Sequence, residues 1–189
     1  MYNIAIMASG SGSNAENIIR YFEHHADIRI GLVLANKPDA YVLERAAKLN
    51  VPARVFNKEE FTSPDFSQHL LKEGITHIVL AGFLWLVPKH LIAAFPDRIV
   101  NIHPALLPKF GGKGMYGSKV HEAVIATGEK ETGITIHLVN EEYDKGVPLL
   151  QVSCTVTTAD TADTVAAKVH ELEYQHFPRT IENWIIQTQ

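Results

Sequence analysis

The sequence is short of cysteine, of positive charge and of long apolar runs. Its 189 residues include one cysteine, Cys154, so no disulfide can form within the chain, and a reducing compartment, the cytoplasm, is expected. Seventeen Lys and Arg stand against 21 Asp and Glu, and this net charge of -4 predicts no nucleic-acid partner. No apolar run approaches the roughly 20 residues needed to cross a bilayer, so no membrane partner is predicted either.

Several motifs that identify enzyme classes are absent as well. The sequence has no HEXXH motif and no cysteine cluster, and we therefore predict no metal site. The absence of GxSxG gives no support to a serine hydrolase, and the absence of GK[ST] excludes a Walker A loop. Any chemistry must therefore rest on other residues.

The first half of the chain alternates apolar, β-branched runs with segments of helical spacing. Helical spacing is clearest at Ala15–His24 and Ala40–Leu49. Near-continuous apolar strands separated by helix-length connections predict a Rossmann-like α/β fold, with a mostly parallel central sheet and helices on both faces. The predicted strands are 3–8, 28–35, 51–56, 77–83 and 98–103.

The second half of the chain has a different pattern. Two runs, 132–140 and 147–156, are joined by the short turn-like segment EEYDKG and predict an antiparallel extension of the sheet. A long helix is predicted over 161–186, opened by Thr161 and interrupted near Pro178. The whole chain, 1–189, is predicted to be one domain, with a nucleotide-binding half at 1–103 and a second half at 104–189.

A glycine-rich segment, SGSGSN, follows the first predicted strand. Gly10 and Gly12 permit close approach of a ligand to the backbone, and the positive end of the following helix favours an anion. The segment also matches the dinucleotide pattern GxGxx(G/A), but the second strand ends at Ala35 without the acidic residue that holds ribose hydroxyls. A phosphate site is the favoured interpretation, and a tight turn capped by Ser13 or Asn14 is the alternative.

Asn101 and His103 close the fifth predicted strand. Side chains alternate along a strand, so the amide and the imidazole lie on one face, at the carboxyl edge where ligands bind in such sheets. Together they are suited to stabilise an oxyanion, and a buried structural histidine is the alternative. Asp144 is suited to orient the imidazole and favour its charged form, although Asp before Lys-Gly is also ordinary turn chemistry.

Four segments together resemble a known family, the phosphoribosylglycinamide formyltransferases. The similarity extends over nearly the whole chain and implies a Rossmann-like fold. It also implies transfer of a formyl group from the co-substrate 10-formyltetrahydrofolate to the amine of glycinamide ribonucleotide, in purine biosynthesis, through a tetrahedral intermediate. The segments are SGSGSN at 9–14, LAGFLWLVP at 80–88, NIHPALLPKF at 101–110 and EYDKGVPLLQ at 142–151.

The resemblance also implies residue roles. It makes the second half of the chain the part that completes the folate site and the catalytic set. It implies a cis peptide between Leu107 and Pro108. This chain differs from the family at Trp85, where family members often have a basic residue. The implied catalytic residues are Asn101, His103 and Asp144. The implied substrate-binding residues are Gly12, Ser13, Asn14 and Glu173. The implied folate pocket consists of Phe83, Leu84, Trp85, Val87, Asn140, Glu141 and Tyr143.

Three rival interpretations carry different partners. Methionyl-tRNA formyltransferase has a C-terminal nucleic-acid domain, for which nothing here is long or basic enough. Formyltetrahydrofolate hydrolase has an additional N-terminal regulatory domain, whereas this chain starts directly at the first strand. A non-catalytic nucleotide-binding module would bind nucleotide without transferring a formyl group. The expected partners are glycinamide ribonucleotide and folate, with the protein a monomer or a homodimer.

Overall fold

The computed structural model describes residues 1–187 and is built around one mixed sheet of seven strands. The strand order is β3-β2-β1-β4-β5-β6-β7. The first five strands run parallel, and the last two are antiparallel to their neighbours. The predicted fold class is thereby confirmed. The strands are β1 (Tyr2–Ala8), β2 (Ile28–Ala35), β3 (Ala53–Val55), β4 (His77–Leu80), β5 (Ile99–His103), β6 (Glu131–Leu138) and β7 (Pro148–Thr155).

Helices cover both faces of the sheet, and β1 shows why. Ile4 and Ile6 pack into a cluster with α1, α2, α6 and α7, whereas Ala5 and Met7 pack on the opposite face with α3, α4 and α5. A central strand buried on both faces reads as a continuous apolar run, which is what the sequence has there. The helices are α1 (Ser13–Phe22), α2 (Val42–Lys48), α3 (Lys58–Thr62), α4 (Pro64–Lys72), α5 (Lys89–Ala94), α6 (Ser118–Ala126) and α7 (Ala162–Gln187).

The sheet order reverses between β1 and β4. Chain connections leave these two neighbouring strands toward opposite sides, so a crevice opens at their carboxyl ends. The glycine-rich loop follows β1, and a second loop around Gly82 follows β4. The two loops therefore flank the point in the fold at which α/β sheets most often bind ligands.

The predicted strand 77–83 is shorter in the structure. β4 ends at Leu80, and Gly82 has a φ of 72°, in the left-handed region that favours glycine. The apolar residues that follow remain buried, as Ala81 and Phe83 show, but they form the wall of the crevice rather than a strand. The prediction was wrong here because an apolar run indicates burial and does not specify hydrogen bonding.

The predicted interruption of the last helix at Pro178 is also wrong. α7 runs continuously through Pro178, and Thr161 and Thr164 cap its start by reciprocal hydrogen bonds. A proline cannot bond the carbonyl four residues earlier, here that of Tyr174, but this oxygen accepts a 3.0 Å bond from Asn17 Nδ2 on α1. The lost helical bond is thus replaced from the neighbouring helix. Neither α7 nor any other helix of residues 1–187 is long and apolar enough to cross a membrane.

Candidate active site

A cavity of about 870 Å³ lies at the crevice. Its walls come from the loops after β1 and β4, the end of β5, the glycine-rich segment 112–118, the turn after β6 and one face of α7. Most of the residues predicted to have a function contribute to these walls. A concave, largely preformed site of this size is typical of small-molecule binding.

The predicted trio comes together in this cavity. His103 Nδ1 lies 3.5 Å from Asp144 Oδ2, and both side chains are almost fully buried. Asn101 precedes His103 by two residues on β5, and all three residues line the cavity. Asp144 has a φ of 55°, a left-handed conformation that Asp tolerates better than most residues. Residues far apart in sequence thus form one polar cluster.

A fourth member of the cluster, His137, was missed from the sequence. It pairs with Asn101 across β5 and β6, with Asn101 Nδ2 3.2 Å from His137 Nε2. The same Nε2 is 3.6 Å from Asp144 Oδ1, and Nδ1 lies 2.8 Å from the carbonyl oxygen of Leu138. Since that carbonyl can only accept, His137 Nδ1 carries a proton. Its signal in the sequence was a polar residue in an apolar strand, which has no meaning until the strand register is known.

The segment after β5 holds the cluster from the other side. The carbonyl oxygen of Phe110 lies 2.7 Å from His103 Nε2, and the backbone N–H of Gly112 donates to Asp144 Oδ2 at 2.9 Å. The peptide bond between Leu107 and Pro108 is cis, as predicted from the family resemblance. The hydrogen bonds of Phe110 and Gly112 fix the orientation of the histidine and of the carboxylate.

Burial and charge act in opposite directions on the pair. Burial lowers the pKa of His103, and Asp144 and the Phe110 carbonyl oppose that shift without overcoming it. Burial also disfavours the charged form of Asp144, but His137, His103 and the N–H of Gly112 together bring the pKa of its carboxyl below the ordinary value. The expected upward influence of Asp144 on the imidazole is present, but burial outweighs it. Asp144 is therefore ionised while His103 readily gives up a proton.

The glycine-rich loop leads into α1 without a side-chain cap. Gly12 is the N-cap residue with a φ of 73°, and neither Ser13 nor Asn14 caps the helix, so the alternative of a capped turn finds no support. The N–H groups of the first helical turn have no acceptors within the helix. Arg45 Nε donates to the carbonyl oxygen of Ser11 at 2.8 Å, which fixes the loop from outside. The residues that carry these donors line the cavity, and helix N-termini of this kind commonly bind anions.

Glu173 lies beside this loop, on α7. The residue is only 9% exposed, and its carboxylate accepts a 2.8 Å hydrogen bond from Asn14 Nδ2. The same Oε2 lies 2.8 Å from His170 Nδ1. The side chain of Asn14 is thus engaged with Glu173, which leaves its backbone N–H for an anion. The structure brings together all four residues of the predicted ribonucleotide site.

Substitution of Gly12 by alanine tests the anion site. A Cβ at this position would lie 2.4 Å from Val42 Cβ, on a backbone conformation that L-residues rarely adopt. We expect Gly12→Ala to weaken binding of glycinamide ribonucleotide, measured by calorimetry, by at least about tenfold, because strain of about 1–3 kcal/mol must displace the loop.

The matched control for this prediction is Gly10→Ala in the same loop. A Cβ on Gly10 would meet no atom within 4 Å, and its φ is not in the left-handed region. The control should keep most of the affinity. Equal affinity of Gly12→Ala and the unmodified protein would remove the loop from the binding site.

The loop after β4 forms an apolar wall of the cavity. Phe83 and Trp85 belong to an aromatic cluster with Phe56 and Phe61, with ring centroids 5.3–6.1 Å apart. Lys58 Nζ lies 4.6 Å from the Trp85 ring, a cation–π distance. A flat, partly aromatic ligand fits such a wall. The predicted folate residues of this loop that line the cavity are Phe83, Leu84, Trp85 and Val87.

The turn after β6 contributes the opposite wall, with one exception among the predicted residues. Asn140 and Tyr143 line the cavity, and the Asn140 side chain also organises the turn by bonding to the backbone of Glu142 and Lys145. Glu141 points elsewhere, and its carboxylate pairs with Lys89 at 2.7 Å on an exposed surface. The turn thus presents Asp144 and part of the predicted folate pocket together.

Within residues 1–187, no three His, Cys, Asp or Glu side chains are arranged to hold a metal ion. The members of the polar cluster instead bond to one another and to backbone groups. Such an arrangement suits proton transfer and the stabilisation of negative charge at a carbonyl carbon under attack.

Comparison with known sequences finds similar proteins along the whole chain. A family model described as formyl transferase matches residues 2–181. The phosphoribosylglycinamide formyltransferase of Haemophilus influenzae is 35% identical, over 96% of this chain and 86% of that protein. The chloroplastic enzyme of Arabidopsis thaliana is 39% identical over 94% of this chain, and the chain spans 63% of that plant relative's length. It spans 59% of the relative from Vigna unguiculata.

Solved structures give the same result. The phosphoribosylglycinamide formyltransferase from Bacillus halodurans superposes with a TM-score of 0.88 at 33% identity, covering 99% of this chain and 97% of that chain. The structure of the same name from Streptococcus pneumoniae gives 0.85 at 35% identity, covering 98% and 99%. The residues matched by the family model, 2–181, include every residue that lines the cavity.

Proposed function

The chain belongs to the phosphoribosylglycinamide formyltransferases of the formyl transferase family, and we propose that it transfers a formyl group from 10-formyltetrahydrofolate to the amine of glycinamide ribonucleotide. The observation that carries the proposal is the convergence of Asn101, His103 and Asp144 on the wall of one cavity. The partners are these two small molecules, and the reaction needs no metal. The single cysteine fits a cytoplasmic setting.

The two substrates bind to different parts of the cavity wall. The phosphate of the ribonucleotide binds the backbone N–H groups of Gly12, Ser13 and Asn14, and the rest of the molecule extends past Glu173 toward the trio. The folate lies between the apolar wall at Phe83–Val87 and the turn after β6, at Asn140 and Tyr143. This arrangement is supported by the presence of the glycine-rich loop, the aromatic wall and the polar cluster around one cavity.

The reaction is a direct acyl transfer. The substrate amine attacks the formyl carbon, and the carbonyl oxygen gains negative charge in a tetrahedral intermediate. Asn101 donates a hydrogen bond to that oxygen, and a protonated His103 adds positive charge nearby. The bond from carbon to the folate nitrogen then breaks, and the proton from the amine passes to that nitrogen. Asp144 moves this proton, directly or through one water.

The hydrogen bonds of His103 define which of its nitrogens changes protonation state. A carbonyl only accepts, so Nε2 keeps its proton on the Phe110 oxygen, and Nδ1 is the atom that gains or loses one. Nδ1 faces Asp144, and protonation there forms an ion pair with the carboxylate. Burial lowers the pKa of His103, whereas Asp144 and the developing charge of the intermediate both favour the protonated ring.

A formyl-transfer assay tests the proposal. Purified protein, glycinamide ribonucleotide and 10-formyltetrahydrofolate should give a change in folate absorbance together with formylglycinamide ribonucleotide. Omission of the ribonucleotide should abolish the absorbance change, which distinguishes transfer from hydrolysis of the folate. Binding of the ribonucleotide without turnover would instead identify a non-catalytic nucleotide-binding module and overturn the proposal.

A further inference from the structure

His121 is a buried histidine that the mechanism above does not use. It lies in the first half of α6, is only 7% exposed, and its ring forms part of the cavity wall. Its neighbours Val120 and Val124 on the same helix pack into the apolar core. A buried polar ring beside these two apolar side chains therefore requires an explanation.

Neither nitrogen of His121 has a partner among residues 1–187. Nδ1 is shut off from solvent without a hydrogen bond, and no bond joins Nε2 to another described residue. Two other histidines that line the cavity differ, since His103 and His137 each have both nitrogens close to a polar atom. Nε2 is not shut off from solvent and has no protein partner, so it is the nitrogen of this cavity-lining ring that remains available to a ligand.

The position of His121 in the cavity indicates which part of the substrate it could contact. The carboxylate of Glu173 and the ring of His103 both lie close enough to influence its charge. Glu173 is bonded to Asn14 of the glycine-rich loop, on the side where the proposed ribonucleotide phosphate binds, and His103 belongs to the proposed catalytic trio. Between these two residues lies the glycinamide arm, whose amide offers one donor and one acceptor. Burial lowers the pKa of His121, and the neutral ring likewise offers one donor and one acceptor.

We propose that His121 binds the glycinamide arm of the ribonucleotide through Nε2, the ring nitrogen that is not shut off from solvent. The inference rests on the proposed function and adds a substrate-binding residue to it. His121 then selects for the arm that carries the attacking amine, whereas the phosphate loop binds any ribose 5-phosphate.

Three substitutions separate this role from a structural one. His121→Gln places an amide near the position of Nε2, His121→Asn places one near Nδ1, and His121→Phe keeps the ring without nitrogen. We expect the Asn and Phe variants to bind glycinamide ribonucleotide at least about tenfold more weakly in calorimetry, the effect of one lost hydrogen bond to a buried group. The Gln variant should keep most of the affinity.

Two further measurements define the contact. Ribose 5-phosphate lacks the arm, so its affinity should be the same in all three variants and in the unmodified protein. His77→Phe is the matched control, because His77 is also buried with an unpartnered nitrogen but packs against Tyr2 and Trp184, away from the cavity. It should leave ribonucleotide affinity unchanged, whatever its effect on thermal unfolding.

The outcomes are distinguishable. If the unmodified protein transfers formyl groups and the Asn variant keeps ribonucleotide affinity while the Gln variant loses it, His121 has a structural role and the inference is overturned. Unchanged affinity in all three variants, or an equal loss of ribose 5-phosphate affinity, overturns it as well. If the unmodified protein shows no transfer to the ribonucleotide, the proposed function falls and the inference falls with it.

Discussion

Replacement of Asp144 by asparagine should lower kcat by about 10²–10⁴-fold, the range that a positioned acid–base group contributes. Asp144→Asn keeps the shape of the side chain and can still accept the N–H of Gly112. It loses the charge that faces His103 and His137, and with it the capacity to take a proton. Ribonucleotide affinity in calorimetry should change by less than about threefold, because the proposed phosphate site is in the glycine-rich loop and does not include Asp144.

The double variant of Asp144→Asn with His103→Asn tests whether the two side chains act as a unit. Its loss in kcat should hardly exceed that of the more damaging single substitution. Glu129→Gln is a suitable control, because this carboxylate pairs with Lys109 outside the cavity wall. Its substitution should leave kcat nearly unchanged. Losses that multiply in full would show that His103 and Asp144 work independently and would contradict the mechanism.

The second large effect is expected at Asn101. Asn101→Ala should lower kcat by about 10²–10³-fold, the usual loss when one donor to a developing oxyanion is removed. The substitution also leaves His137 Nε2 without its amide neighbour at 3.2 Å. KM for both substrates should change little, because the donor is needed chiefly in the transition state.

Asn101→Asp provides a sharper version of this test. The substituted side chain has nearly the same shape but places a carboxylate where the oxygen of the intermediate gains its charge. We expect a larger loss in kcat than for alanine, with ribonucleotide affinity again retained. Thermal unfolding should show that both variants are folded. An alanine variant within about threefold of normal kcat would exclude Asn101 as the oxyanion donor.

The fold was predictable where burial and strand pairing coincide. β1 and β2 are central, buried strands, so the apolar run and the strand have nearly the same ends. The run over 77–83 continued past the end of β4 because Phe83 is buried by the cavity wall instead of by strand pairing. The predicted interruption at Pro178 was wrong for a different reason. The missing helical hydrogen bond is replaced by one from Asn17, a residue of another helix.

The site was predictable in proportion to how local its geometry is. Asn101 and His103 were paired by the period of a strand, and the glycine-rich loop by its position after β1. Asp144 was assigned through family resemblance, because no spacing rule brings a distant turn to a strand end. His137 depended on the register between β5 and β6, and His121 on the packing of α6 against the cavity. Neither the strand register nor the helix packing can be derived from the spacing of residues in the sequence.

Two of the hydrogen bonds between α1 and α7 have a consequence for ligand binding. Asn14 bonds to Glu173, and one turn further along α1 Asn17 bonds to the carbonyl that Pro178 leaves free. The distance from the glycine-rich loop to Glu173 is therefore fixed before any ligand binds. A ribonucleotide that spans both contacts meets a preorganised site, so little of its binding energy is lost to the entropy of ordering the protein.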